Sequence, residues 1–92
     1  MTRQLKGVVN ECFPSHVGML VRSFFNAMIP AAVLNNHGYE FNYLTQKWHK
    51  HRYDSSIDAN VNVATIGIND EISFLVEKIH ECAGVISIEG SL

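Results

Sequence analysis

"SHVGMLVRSFFNAMIP", residues 15–30, decides the fold and admits two incompatible readings. One is an amphipathic helix that opens after Pro14 with Ser15 as its N-cap. The other is a pair of short antiparallel strands that turn over near Arg22 and Ser23 and end at Pro30. A second stretch, "NDEISFLVEKIHECAG" (69–84), carries the same ambiguity. As a helix it has Asn69 as cap, acids in its first turn, Gly84 past its end and an apolar stripe of Ile72, Leu75, Val76, Ile79 and Ala83. As a strand it sets Ile72, Phe74 and Val76 on one face, with a turn at residues 80–84.

The segments around these two are plainer. "QLKGVVNECF" (4–13) is short and β-branched, with Gly7 free to bend it, and reads as a strand. "PAAVLNNHG" (30–38) is a small apolar turn that stops regular structure. Tyr39, Phe41 and Tyr43 alternate, "HKHRYDSSIDAN" reads as a polar connector, "VNVATIGI" (61–68) as a strand or its lead-in, and "GVISIEGSL" (84–92) as a closing strand. If both deciding segments are helices, the order is βαββαβ, a ferredoxin-like sandwich typical of small ligand-sensing dimers. If both are strands, the chain is an all-β, five-stranded antiparallel barrel of the OB type. Periodicity alone leans slightly toward the helices.

Ninety-two residues, 47% hydrophobic and with a formal net charge of −2, make one domain. A chain of this size buries roughly 60–65% of the surface its unfolded form exposes, so it has one modest core. No apolar run approaches the ~18 residues of a membrane span, and no signal-peptide h-region opens the chain, a pattern expected of an intracellular protein. Cys12 and Cys82 form no CxxC and are read as reduced thiols, not a zinc ribbon or a disulfide framework. The mildly acidic balance argues against coating nucleic acid by charge alone. Yet three of the seven basic residues fall in "KWHKHR", while the C-terminal third holds Asp70, Glu71, Glu77, Glu81 and Glu89 against one Lys78.

Two separated blocks, in order, decide between the folds. The first is a G-x-V strand at residues 7–9, then "SHVGMLV" at 15–21 and "FNAMI" at 25–29. The second is "DEISFLVEKIHECAGVISIEGSL", an acidic start, a strand, a short turn with glycine and a final V-x-S-I-x-G-x-L. Together they resemble the OB domain in the stalk subunit of eukaryotic RNA polymerase I, the paralogue of the seventh-numbered subunit of RNA polymerase II. The resemblance covers about two-thirds of the chain and implies strands at 5–13, 17–22, 24–29, 71–79 and 84–90. It implies a single OB domain over 1–92 with a variable insertion at about 31–60, between the third and fourth barrel strands. The family's N-terminal tip domain has no room here, so an excised domain or fragment is expected. Val17, Val21, Phe24 and Phe25, better strand than helix formers, agree with the strands. Val9, Val21, Ile29, Phe74, Val76 and Ile88 alternate along them and are the expected core.

The resemblance implies a non-catalytic polymerase component in the nucleolus of the nucleus, without a cofactor, serving ribosomal RNA gene transcription. Its implied partners are a small stalk subunit and the initiation factor that recruits the enzyme to ribosomal DNA promoters, with emerging transcript nearby. A stand-alone OB module for single-stranded RNA is the alternative within the fold. The residues themselves supply no catalytic set. Asp70 and Glu71 are adjacent and point to opposite faces of a strand, unsuited to a shared acid–base task. His37, His49 and His51 lack the further ligands that close a metal site, and none is expected. His16 reads as a turn residue whose ring bonds backbone, and Asn26 as a turn-fixing residue.

OB barrels hold single strands on the face of their second and third strands by aromatic stacking and a positive groove. Here Leu20 and Pro30 stand where related barrels carry stacking rings. Any RNA contact is therefore expected in the insertion, through Lys47, Trp48, Lys50 and Arg52, cations for phosphate and a flat ring for a base. The competing reading is that Trp48 packs the insertion onto the barrel.

Overall fold

The computed structural model describes residues 3–92, and both deciding segments are strands. The chain runs β1 (Gln4–Cys12), β2 (His16–Val21) and β3 (Phe25–Pro30), then α1 (Ala31–Asn36), β4 (Tyr39–Asn42), β5 (Lys47–Asp54), β6 (Ala59–Ile66), β7 (Glu71–Cys82) and β8 (Val85–Ser91). Five of these strands close a ring in the order β1-β2-β3-β8-β7, with β7 returning to β1. That is an OB-type barrel, and the ferredoxin-like alternative is excluded because it needs helices where β2, β3 and β7 lie. One contact departs from the expected antiparallel pattern. β8 runs parallel to β3 over Asn26↔Ser87 to Met28↔Glu89, because the chain crosses the barrel between them.

The period of two explains why residues 15–30 choose strands. Val17, Met19 and Val21 are buried facing Ile29, Ala27 and Phe25, while His16, Leu20, Asn26 and Pro30 look outward. On a helix, Val17 and Met19 would stand about 200° apart and could not share a core. The β2–β3 turn has Arg22 at φ 55° and Ser23 at φ 58°, the pattern of a type I′ turn, closed by Phe24 N–H donating to the Val21 carbonyl at 3.1 Å. Ala83 (φ 51°) and Gly84 (φ 81°) make the matching turn between β7 and β8.

Val9, Val21, Ile29, Phe74 and Ile88 are buried as expected, and Val76 is half-buried because it sits at an end of the barrel that no other described residue covers. Phe74 fills the barrel against Gly90, where any Cβ would collide with the ring at Cδ2. Gly90→Ala should therefore cost about 1–3 kcal/mol, since the buried ring has no free volume to retreat into. Urea unfolding checks this; wild-type stability would mean that the ring has slack.

Residues 31–66 are more ordered than the sequence suggests. The expected apolar turn after Pro30 is the short helix α1, whose first N–H at Ala31 donates to the Ser15 carbonyl at 3.0 Å. Half of the expected polar connector belongs to β5, the middle of a three-stranded antiparallel sheet in the order β4-β5-β6. Leu34, Trp48 and Ile66 are buried in one cluster with Cys12 and the barrel core. They plug the end of the barrel at the β1–β2 turn. The Cys12 Sγ–H donates to the Ile66 carbonyl at 3.6 Å, and burial pushes that thiol's pKa up. This keeps it protonated and inert.

Candidate nucleic-acid interface

The outer face of β2 and β3 is a shallow depression lined by Asn10, Glu11, His16, Asn26, Met28 and Ser87. Leu20 and Pro30 are outward and half-buried on the same two strands. A bulge between Val9 and Glu11 in β1 lays the Glu11 side chain across Gly18, and His16 Nε2 lies 3.2 Å from Glu11 Oε2. The other ring nitrogen of His16 meets Ser15 Oγ at 2.9 Å, so side chains hold this ring, where a backbone partner was expected. Asn26 lies inside β3 opposite Leu20 and fixes no turn. At the neighbouring edge His80 Nε2 lies 3.4 Å from Glu89 Oε2. A face whose two carboxylates, Glu11 and Glu89, each engage an imidazole is poorly suited to a phosphate chain.

The structure splits the four candidates of β5. Trp48 is 2% exposed, pairs with Phe41 on one side and Ile66 on the other, and donates its indole N–H to the Phe13 carbonyl at 3.0 Å. Its ring meets Phe41 edge-on with centroids 5.5 Å apart. No base can reach it, so Trp48 is corrected from a stacking platform to the bolt between accessory sheet and barrel. Lys50 and Arg52 follow Trp48 on the same strand face, Lys50 half-buried with its Nζ 5.7 Å from the Tyr39 ring centre. Lys47 is exposed on the opposite face. The three cations line one strand without sharing a side.

Rings that can stack stand beside Lys47. His49, His51 and Tyr53 occupy alternate positions of β5, with the two imidazoles parallel within 12° and 6.0 Å apart. Thr45 Oγ1 holds His49 Nε2 at 2.8 Å, and Tyr53 donates its hydroxyl to Asp58, a bond that pushes the phenol pKa up. Asn62 and Asn60 stand opposite His51 and Tyr53 across the sheet. The candidate set Lys47, Trp48, Lys50 and Arg52 left this row out, although the spacing 49, 51, 53 signals one face of a strand. Among the described residues no cluster of three or more His, Cys, Asp or Glu is placed to hold a metal. Asp70 is spent locally, its Oδ2 accepting the Gly67 N–H at 2.8 Å.

A five-strand ring of this order, plugged at one end and extended by an accessory sheet, makes the protein an OB-fold domain. The chain belongs to the family of the RPA43 OB domain in RNA Pol I, whose model matches residues 2–65. The matched span takes in residues 31–65, where the sequence resemblance implied variation, and ends before the β7–β8 hairpin, which carried half of that resemblance. No match was found among the curated proteins compared.

Proposed function

We propose that this chain is a non-catalytic component of the RNA polymerase I stalk, acting in ribosomal RNA gene transcription in the nucleolus. The observation that carries this reading is the family match over residues 2–65, laid on a barrel of the OB order. In this role the domain docks the small partner subunit of the stalk and the initiation factor that brings the enzyme to ribosomal DNA promoters. It also touches emerging transcript. That contact draws on both faces of β5, with Lys47 beside the His49, His51 and Tyr53 rings on one and Lys50 with Arg52 on the other, the RNA passing round β5 beyond its pairing with β4. The acidic outer face of the barrel and the accessible row of rings on the accessory sheet support this placement.

Titration of a fluorescently labelled, unstructured single-stranded RNA across a salt series tests it. Three engaged cations predict a slope of log affinity against log salt near −2, at roughly −0.7 per phosphate neutralised. Lys47 engaged alone predicts a slope of about −0.7. The triple variant Lys47→Ala, Lys50→Ala, Arg52→Ala should lose the salt-dependent part entirely. Equal affinity of variant and wild type, or no binding by either at low salt, removes transcript contact and leaves a docking module.

A further inference from the structure

The two ends of the barrel are finished differently. The end at the β1–β2 turn is plugged by Trp48, Leu34 and Ile66, all buried. At the other end β7 and β8 run on past the barrel as a free hairpin, and the core is left open. An apolar groove results, lined by Leu5, Phe25, Val76, Ile79, Ile86 and Ile88. Ile79 is 65% exposed, and Phe24, beside the groove at the β2–β3 turn, is 77% exposed. A second depression joins Phe24 and Phe25 to Val85 and Ile86, so the apolar surface is continuous across the hairpin. A patch of this kind on a small domain marks an interaction site.

Two further observations say what fits there. The charged residues lining the groove are Arg3 and Arg22, both cationic. Glu81, opposite Ile86 on the hairpin, lies outside that lining. Moreover, β1 pairs with β7 only over Glu71 to Leu75, and the Val76 N–H donates to the Arg3 carbonyl at 2.8 Å. Beyond that point, among the described residues, nothing pairs with β7 on its β1 side. Residues 79–82 therefore offer a row of open backbone donors and acceptors beside the groove.

We infer that the open barrel end docks an extended, acidic and apolar segment of a partner protein, which adds as a strand along the free edge of β7. Alternate apolar side chains of that segment enter the groove over Ile79, Ile86 and Phe25, and its carboxylates meet Arg3 and Arg22. Backbone pairing supplies affinity, and the alternate pockets and the arginines supply selection. The inference gives the docking role proposed above a surface, and rests on that role only for which polypeptide supplies the segment. It is independent of transcript contact, which lies on the accessory sheet.

A labelled seven-residue peptide alternating glutamate and valine serves as the probe, with its lysine–valine counterpart as control. The glutamate peptide should bind at least tenfold tighter, and the double variant Arg3→Glu, Arg22→Glu should invert that preference. Ile79→Lys, which sits on an exposed position and spares the fold, should abolish binding of the glutamate peptide. Amides in residues 79–82 should gain hydrogen-exchange protection on binding. Equal affinity for both peptides, absence of binding, survival of binding in Ile79→Lys, or protection elsewhere would each overturn the inference. So would concentration-dependent self-association that Ile79→Lys removes, because the occupant would then be a second copy. Assembly of the chain into the polymerase is scored separately; if it persists while the peptide fails, the groove reading falls and the stalk reading stands.

Discussion

Trp48→Ala should destabilise the fold by about 3–5 kcal/mol, the usual range for truncating a buried tryptophan. The indole is one of the largest fully buried side chains of the protein, in contact with Phe41 and flanked by Ile66 across the sheet. The lost hydrogen bond is the smaller part. The Phe13 carbonyl keeps the His16 N–H at 3.3 Å, so truncation leaves no orphaned acceptor and the loss is mostly packing. Against a total stability of roughly 5–15 kcal/mol for a domain, such a loss is large. A fall in melting temperature of more than about 12 °C is expected at 4–8 °C per kcal/mol.

The same variant separates two roles for this tryptophan. A ring that stacks on a base contributes about 1–3 kcal/mol to RNA binding whatever the sequence of the strand. A bolt between sheet and barrel contributes to RNA binding only through folding. Measured at a temperature where the variant is still folded, RNA affinity should match that of wild type. Trp48→Phe, which keeps most of the volume and loses the indole N–H, should recover most of the stability. Wild-type stability combined with weakened RNA binding would return Trp48 to the interface.

What the sequence shows and hides here follows from where each strand's faces point. β2, β3 and β7 bury one face in the barrel, so Val17, Met19 and Val21, or Ile72, Phe74 and Val76, display a period of two. Even so, that period competed with a helical stripe in residues 69–84, and the ordered pair of sequence blocks was needed to choose. β5 hides its nature because it buries one side chain, Trp48, and then projects with both faces solvated. Lys50, His51 and Arg52 therefore read as a connector, although β4 and β6 hold them in register. The same solvated faces explain the candidate site. Cations and a ring crowded into six residues looked like one surface, but alternation sends Trp48 inward, Lys47 to one side and Lys50 with Arg52 to the other. The open groove was illegible for the opposite reason. Ile79 and Ile86 alternate like core residues, and only the length of the hairpin relative to its neighbours reveals that none of the described residues covers them.

Phe74→Ala should cost about 3–5 kcal/mol, because its 1% exposed ring occupies the centre of the barrel. The neighbourhood limits collapse around the vacancy. Leu5 faces Phe74 across the β1–β7 register, and Gly90 offers no side chain to fill the gap. A loss below about 1 kcal/mol in urea unfolding would place the ring outside the working core. The pair with Gly90 makes the argument sharper than either single variant. Gly90→Ala is harmful chiefly because its methyl meets the Phe74 ring, with the Leu75 carbonyl oxygen at 3.3 Å the lesser contact, so removing the ring should remove most of that harm. In the double variant the new Cβ enters the space the ring vacated. The two losses should then fall short of additivity by about 0.5–3 kcal/mol, the range for residues in contact. Strict additivity would show that glycine at position 90 answers to the backbone and not to the ring, and that the barrel centre is less tightly filled than this packing requires.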